Sequence, residues 1–296
     1  MKTVRTIAEV REHVAAARAA GRSIGLVPTM GAFHAGHEAL MRAAREQTGY
    51  VVVWLFVNPA QFEDARDLTA YPRSEERDAA IAELLGADLL FAPPVEEIYP
   101  DGFATAIRVA GLGDVLEGAE RGAAHFQGVC TVVCKLFNIV APDVAYFGQK
   151  DAQQVAVIRR MVRDLDIPVR LAVVPTVREP DGLALSSRNA RLDPAERERA
   201  LALSRGLEAV RAAVESGERD AAAAEAAGRA AMDGTDPEYL AVVDPETLER
   251  VREIDGRVLV VVAARIGPAR LIDNILIEPV ATRALPRDGS AVVGGS

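Results

Sequence analysis

Apolar runs of strand length alternate with amphipathic stretches of helical period from Ile24 to Val174, and few architectures accommodate that order. Ile24 to Val27 comes first, and Glu38 to Gln47 follows with helical spacing. Tyr50 to Val57 (YVVVWLFV) is continuously β-branched and aromatic, the pattern of a strand buried on both faces. Ser74 to Gly86 is helical, with Glu75 and Glu76 in its first turn, and Asp88 to Ala92 is a third short strand. This βαβαβ order predicts an α/β fold, a doubly wound parallel sheet with ligands outside the carboxyl ends of its strands. An opening helix, Thr6 to Ala20, carries Ile7, Val10, Val14 and Ala17 on one stripe and ends at Gly21.

Farther along, Thr105 to Val109 reads as an extra strand, and HFQGV precedes a helix over Val129 to Val140. Strand Asp143 to Phe147 runs into Gly148-Gln149-Lys150-Asp151, helix Ala152 to Asp164 follows, and Val169 to Val174 is the last parallel strand. From Asp193 the composition turns to Ala, Glu and Arg, with helices over Pro194 to Ser216 and Asp220 to Met232. Tyr239 to Asp244, Arg257 to Ala264 and Leu271 to Glu278 then read as strands. Three units are expected: residues 1–176, a smaller α+β C-terminal domain over 177–280, and a disordered tail over 281–296 rich in Gly, Pro, Arg and Ser.

Two strand, glycine turn and helix units present anion sites. In VPTMGAFHAGH (27–37), Gly31 and Gly36 permit close backbone approach, and the following helix offers free N–H groups. His34 and His37, three apart, face one pocket if the helix begins near Ala35 or Gly36; two surface histidines in a loop is the plain alternative. The second unit adds Lys150, one of three lysines beside Lys2 and Lys135 among 34 basic residues. Asn58 and Gln61 in FVNPAQF, and Gln153 and Gln154, are either turn formers and exposed amides or ligands for hydroxyl and carboxylate oxygens. Ser186, Ser187 and Arg188 suit either a phosphate or a capped linker.

The net charge of -9, with no long Lys/Arg block, argues against nucleic acid or an anionic membrane as partner. No apolar run reaches the ~20 residues of a membrane helix, and the charged amino terminus is unlike a signal sequence, so a cytoplasmic protein is expected. Cys130 and Cys134 read as buried free thiols.

Several segments together resemble the pantothenate synthetase family, ATP-dependent ligases that join pantoate to β-alanine: PTMGAFHAGH (28–37), FVNPAQF (56–62), AYPR (70–73), HFQGV (125–129), YFGQKDAQQ (146–154), VREPDGLALSSRN (177–189) and RLIDNILIE (270–278). The resemblance implies a Rossmann-like nucleotidyltransferase domain of the HxGH class, a smaller domain covering the site, and a homodimer, for which the apolar strand Val258 to Val262 offers a surface. It casts His34 and His37 as the phosphate-binding pair, with Pro28, Thr29, Met30 and Gly31 beside the nucleotide. Lys150, Ser186, Ser187 and Arg188 grip the ATP phosphates, while Phe147, Gly148, Asp151, Val177 and Leu185 line the adenosine pocket. Met30, Asn58, Gln61 and Gln154 hold pantoate, and His34, His37, Lys150 and Arg188 are the catalytic set. Two positions depart from the family pattern: an additional residue separates Arg121 from His125, and Gln149 stands where glutamate is commoner.

The implied reaction has two stages. Pantoate carboxylate attacks the ATP α-phosphorus, giving pantoyl adenylate and pyrophosphate, and the β-alanine amine then displaces AMP. Charge neutralisation and alignment are what the first stage requires, with Mg²⁺ on the phosphates and the histidines sharing that task with Lys150 and Arg188. The competing readings are another HxGH adenylyltransferase acting on a phosphorylated acceptor and a non-catalytic nucleotide-binding module.

Overall fold

The computed structural model describes residues 1–62, 68–69, 71 and 73–279. The 281–296 tail and part of the AYPR segment (Ala70 and Pro72) lie outside the described residues. Six strands, β1 (Lys2–Val4), β2 (Ile24–Thr29), β3 (Tyr50–Leu55), β4 (Leu89–Phe91), β5 (Val144–Gly148) and β6 (Arg170–Val174), form one parallel sheet in the order β1-β4-β3-β2-β5-β6. The chain builds outward in one direction from β2 and in the other from β5, so the topological switch point lies between these two strands, where Gly25 pairs with Val144.

Helices cover both faces of this sheet. α1 (Ile7–Ala19) is closed by a capping box from Thr6 and Glu9. α2 (Ala35–Gln47) and α3 (Glu75–Leu84) pack on one face, through Leu40, Met41 and Ala82. On the other face, after the short α4 (Val95–Ile98) and α5 (Glu117–Arg121), lie α6 (Ala123–Val140) and α7 (Ala152–Asp164), with Val133, Leu136 and Ile158 in the core. α8 (Pro194–Glu215) and α9 (Ala221–Ala230) precede an antiparallel meander of β7 (Tyr239–Val243), β8 (Val258–Ile266) and β9 (Ala269–Ile277).

The small sheet is apolar on both faces, because period-two alternation sends successive side chains opposite ways. Leu240, Val242, Val260 and Val262 pack against α8 and α9, while Ala241, Val243, Leu259 and Val261 join the core shared with α6 and α7. Val258 to Val262 is therefore the first half of the central strand, at most 7% exposed, and does not offer the dimer surface expected of it.

Three further expectations are corrected. Thr105 to Val109 is not a strand: it runs beside α6, where the Ile107 amide donates to Thr131 Oγ1 at 2.9 Å, and its apolar alternation serves that packing. α6 begins at Ala123 rather than Val129, so HFQGV is helical. The reason is Gly128: any Cβ there would collide with the Ala60 carbonyl, and glycine lets the helix backbone rest on the 59–61 turn. Cys130 is buried as expected, but Cys134 is only half-buried.

Candidate active site

A cavity of about 310 Å³ opens at the carboxyl ends of β2 and β5, roofed by the small sheet. Its volume falls in the range of small-molecule sites. One wall is the turn leaving β2. Gly31 takes φ +91° and Ala32 φ +54°, conformations that leave the Ala32 and Phe33 amides pointing away from the sheet. Both donate to Asp78 on α3, at 2.8 and 2.9 Å, and Asp78 is 1% exposed. Thr29 donates its hydroxyl to the Trp54 carbonyl at 2.7 Å, so only its backbone serves the cavity.

His34 is the N-cap of α2, and its Nδ1 accepts from the Gly36 amide at 3.1 Å. His37 Nδ1 in turn accepts from the His34 amide at 3.4 Å, and the two ring centroids are 4.2 Å apart. A nitrogen that accepts from an amide carries no proton, so each neutral ring holds its hydrogen on Nε2, the nitrogen left for a ligand. Burial lowers the His34 pKa, helped by Lys150. Burial and then His34 push His37 down to about 3. Burial thus favours the neutral form of both rings, each with its hydrogen on Nε2.

The opposite wall is the Gly148–Asp151 turn. Lys150 Nζ lies 3.6 Å from Asp151 Oδ1. Desolvation works against ionisation of Asp151, but Lys150, Arg121 and Arg188 together hold its carboxyl below the ordinary range. Arg188 follows Ser186, whose Oγ accepts from the Arg188 amide at 3.3 Å and caps a 3-10 turn. Burial, with Arg121 facing it, depresses the Arg188 pKa, and Arg188 makes no ion pair among the described residues.

Every residue the sequence put forward lines this one cavity except Asn58. Asn58 is 1% exposed and fully engaged: Nδ2 donates to Gln61 Oε1 at 2.9 Å and to the Gly128 carbonyl at 3.2 Å, and Oδ1 accepts from the Tyr99 hydroxyl at 2.8 Å. It fixes Gln61 from behind. Gln154 lines the cavity with an amide that has no partner among the described residues, whereas its neighbour Gln153 is spent on Glu117, Leu112 and Val115.

Residues the sequence reading passed over also reach the cavity. Arg121, whose register an added residue had left open, points in from α5 with its Nε on Glu117 at 3.1 Å. Trp54, Phe56, Phe126, Val129 and Val133 give it an apolar end beside Gln61. Asp78 was detectable only as a third acid in a helix's first turn, a position the helix dipole already accounts for.

The sequence matches the family described as pantoate-beta-alanine ligase over residues 2–276. The chain belongs to that ligase family. A pantothenate synthetase from Moorella thermoacetica is 52% identical over 281 residues, 94% of this chain and 99% of the relative. One from Koribacter versatilis is 51% identical, covering 97% of this chain and 99% of its own length. Among solved ligase structures, a Thermus thermophilus pantothenate synthetase superposes with a TM-score of 0.86 at 49% identity, covering 93% of this chain and 99% of its own. A Francisella tularensis pantoate-beta-alanine ligase, complexed with beta-gamma ATP and beta-alanine, gives 0.73 at 34% identity, covering 93% and 97%.

Proposed function

We propose that this chain condenses pantoate with β-alanine to pantothenate, with ATP as co-substrate and pantoyl adenylate as intermediate. The observation that carries this reading is the mixed lining of one cleft. His34, His37, Lys150, Arg188 and Arg121 line it together with the uncharged amides of Gln61 and Gln154 and the apolar side chains of Trp54, Phe56 and Val133. Cations and imidazole donors suit a triphosphate, and a hydroxy acid with geminal methyl groups needs amides and apolar contact.

In the first stage a pantoate carboxylate oxygen forms a bond to the α-phosphorus, and the bond from that phosphorus to the bridging oxygen breaks, releasing pyrophosphate. Gln61 and Gln154 hold the acid, with Met30 beside them. His34 and His37 donate Nε2–H to phosphate oxygens, and Lys150, Arg188 and Arg121 offset the charge that moves onto the leaving group. Ser186 and Ser187 complete the grip, and Phe147, Gly148, Asp151, Val177 and Leu185 receive the adenosine alongside Pro28 and Thr29. In the second stage the β-alanine nitrogen bonds to the acyl carbon, the acyl–oxygen bond to AMP breaks, and the nitrogen loses a proton.

Mg²⁺ belongs to this reading as an ion carried by the phosphates and water. The donor set fits that: no group of three or more His, Cys, Asp or Glu suited to a metal occurs among the described residues, and Asp151 is the cavity carboxylate not tied to an arginine. Bound there, the ion would supply positive charge to the triphosphate.

Residues 1–176 would hold nucleotide and pantoate, and residues 177–280 would keep water from the adenylate. Leu248, Val261 and Asp273, all in the latter stretch, line the same cavity. A cytoplasmic homodimer completes the proposal, and sedimentation tests its stoichiometry. The decisive experiment measures pyrophosphate release from ATP with and without pantoate, followed by mass detection of pantothenate after β-alanine is added. Pantoate-independent release, or none, would refute the reading.

A further inference from the structure

Lys150 sits on a turn whose backbone is held from the other sheet. Asn274, on β9, is 4% exposed. Its Nδ2 donates to the Gln149 carbonyl at 3.0 Å and to the Lys150 carbonyl at 2.9 Å, and its Oδ1 accepts from Gln149 Nε2 at 2.9 Å. The two carbonyls fix which way the amide faces, since only the NH2 end can serve them. Both its amide hydrogens and its oxygen are thereby engaged, on two consecutive residues of one turn.

The turn's ends are fixed by β5, where Gly148 pairs with Val174, and by α7, which starts at Ala152. Gln149 to Asp151 is a single 3-10 turn whose preceding residue, Gly148, has no side chain, and no side-chain cap bonds it. Among the described residues, Lys150 Nζ pairs with Asp151 alone, at 3.6 Å. The side chain with most to do at the phosphates thus rests on a backbone that another layer orients.

We propose that Asn274 is a positioning residue for Lys150: by clamping the 149 and 150 carbonyls it sets the height at which Nζ meets the triphosphate, and so acts on adenylation but not on amide formation. This rests on the function proposed above. A strand, being more rigid than a turn, is the better place from which to hold a catalytic group. The clamp is also specific in chemistry. Aspartate has the same shape but no amide hydrogen, and its carboxylate would face two carbonyl oxygens.

The test compares Asn274→Ala, Asn274→Asp, Lys150→Ala and the Asn274→Ala/Lys150→Ala double variant in two assays: pantoate-dependent pyrophosphate release, and pantothenate formation from supplied pantoyl adenylate and β-alanine. Thermal melting checks folding in parallel. The expected result is a loss of roughly 10-fold or more in pyrophosphate release for each Asn274 variant. Amide formation from the adenylate should stay within about 2-fold, and the double variant should be no slower than Lys150→Ala alone. Losses that multiply in the double variant, or equal losses in both assays, would make Asn274 a merely structural residue and overturn the proposal. Unchanged release in Lys150→Ala would sink the functional reading beneath it, and the proposal with it. If Lys150→Ala is slow and Asn274→Ala is not, the positioning role alone fails.

Discussion

The two histidines of the first turn are distinguished by what already occupies their Nδ1 atoms. Backbone amides hold both, so the rings cannot turn to present the other nitrogen without orphaning an amide. Loss of such donors is costly at a developing charge, and we expect His37→Ala and Lys150→Ala each to lower pyrophosphate release at least ~100-fold while remaining folded. His37 also carries a pH signature. Its pKa falls from 6.5 to about 3 on folding, so the unfolded state binds the extra proton and stability rises with pH in that interval. The contribution is complete above about 6.5, declines as pH falls and is fully lost at about 3. Between pH 7 and 5 the wild type should lose on the order of 1–2 kcal/mol more than His37→Gln, read from urea midpoints at the two pH values.

At the scale of elements, the cleft depends on close contacts that leave faint marks in the sequence. Gly128 brings α6 onto the 59–61 turn, and Asn58 ties the two together behind Gln61. Gly128→Ala should therefore raise the pantoate KM, as Gln61→Ala should, while leaving the ATP KM within about 2-fold; the paired titrations decide it. Asp78→Ala strands the Ala32 and Phe33 amides and should cost about 1–3 kcal/mol in a denaturant melt. These devices also explain what could be read beforehand. Strands β2 to β6 announce themselves because both their faces are apolar, and α7 because its amphipathic period is regular. The three residues of β1 are too few to show a pattern, and α6 hides its first two turns because Gly128 reads as a break when it is a contact. Within Asn58-Pro-Ala-Gln61 nothing local tells which amide faces the cavity; the answer comes from Tyr99 and Gly128, distant in the chain.

At the scale of the whole molecule, the small sheet meets α5 through buried charge. Arg270 on β9 donates to both oxygens of Glu117, at 2.7 and 2.6 Å, and the Tyr239 hydroxyl donates to Glu117 as well, at 2.7 Å. Burial alone would raise the Glu117 pKa, but Arg270 outweighs it and keeps the carboxyl ionised; burial of Tyr239 against that charge moves its phenol far upward. Removing one partner of a buried pair leaves the other uncompensated, so Arg270→Ala should cost about 3–5 kcal/mol of stability. If the small sheet shields the adenylate, the same variant should also release more AMP per pantothenate formed, a ratio that a stability defect alone would not change. An unchanged ratio would remove the shielding role.

The cavity joins residues 28–37 to residues 273–274, so its first and last walls stand at opposite ends of the polypeptide. A ribosome emits the β2 turn well before β9. The parallel sheet has every strand it needs by residue 174, yet Lys150 gains its clamp only when Asn274 emerges. At ~5–20 residues per second, several seconds of synthesis separate those events. During that interval a nascent chain holds the lysine without the strand that registers it, so it can complete its parallel sheet before it is able to spend ATP.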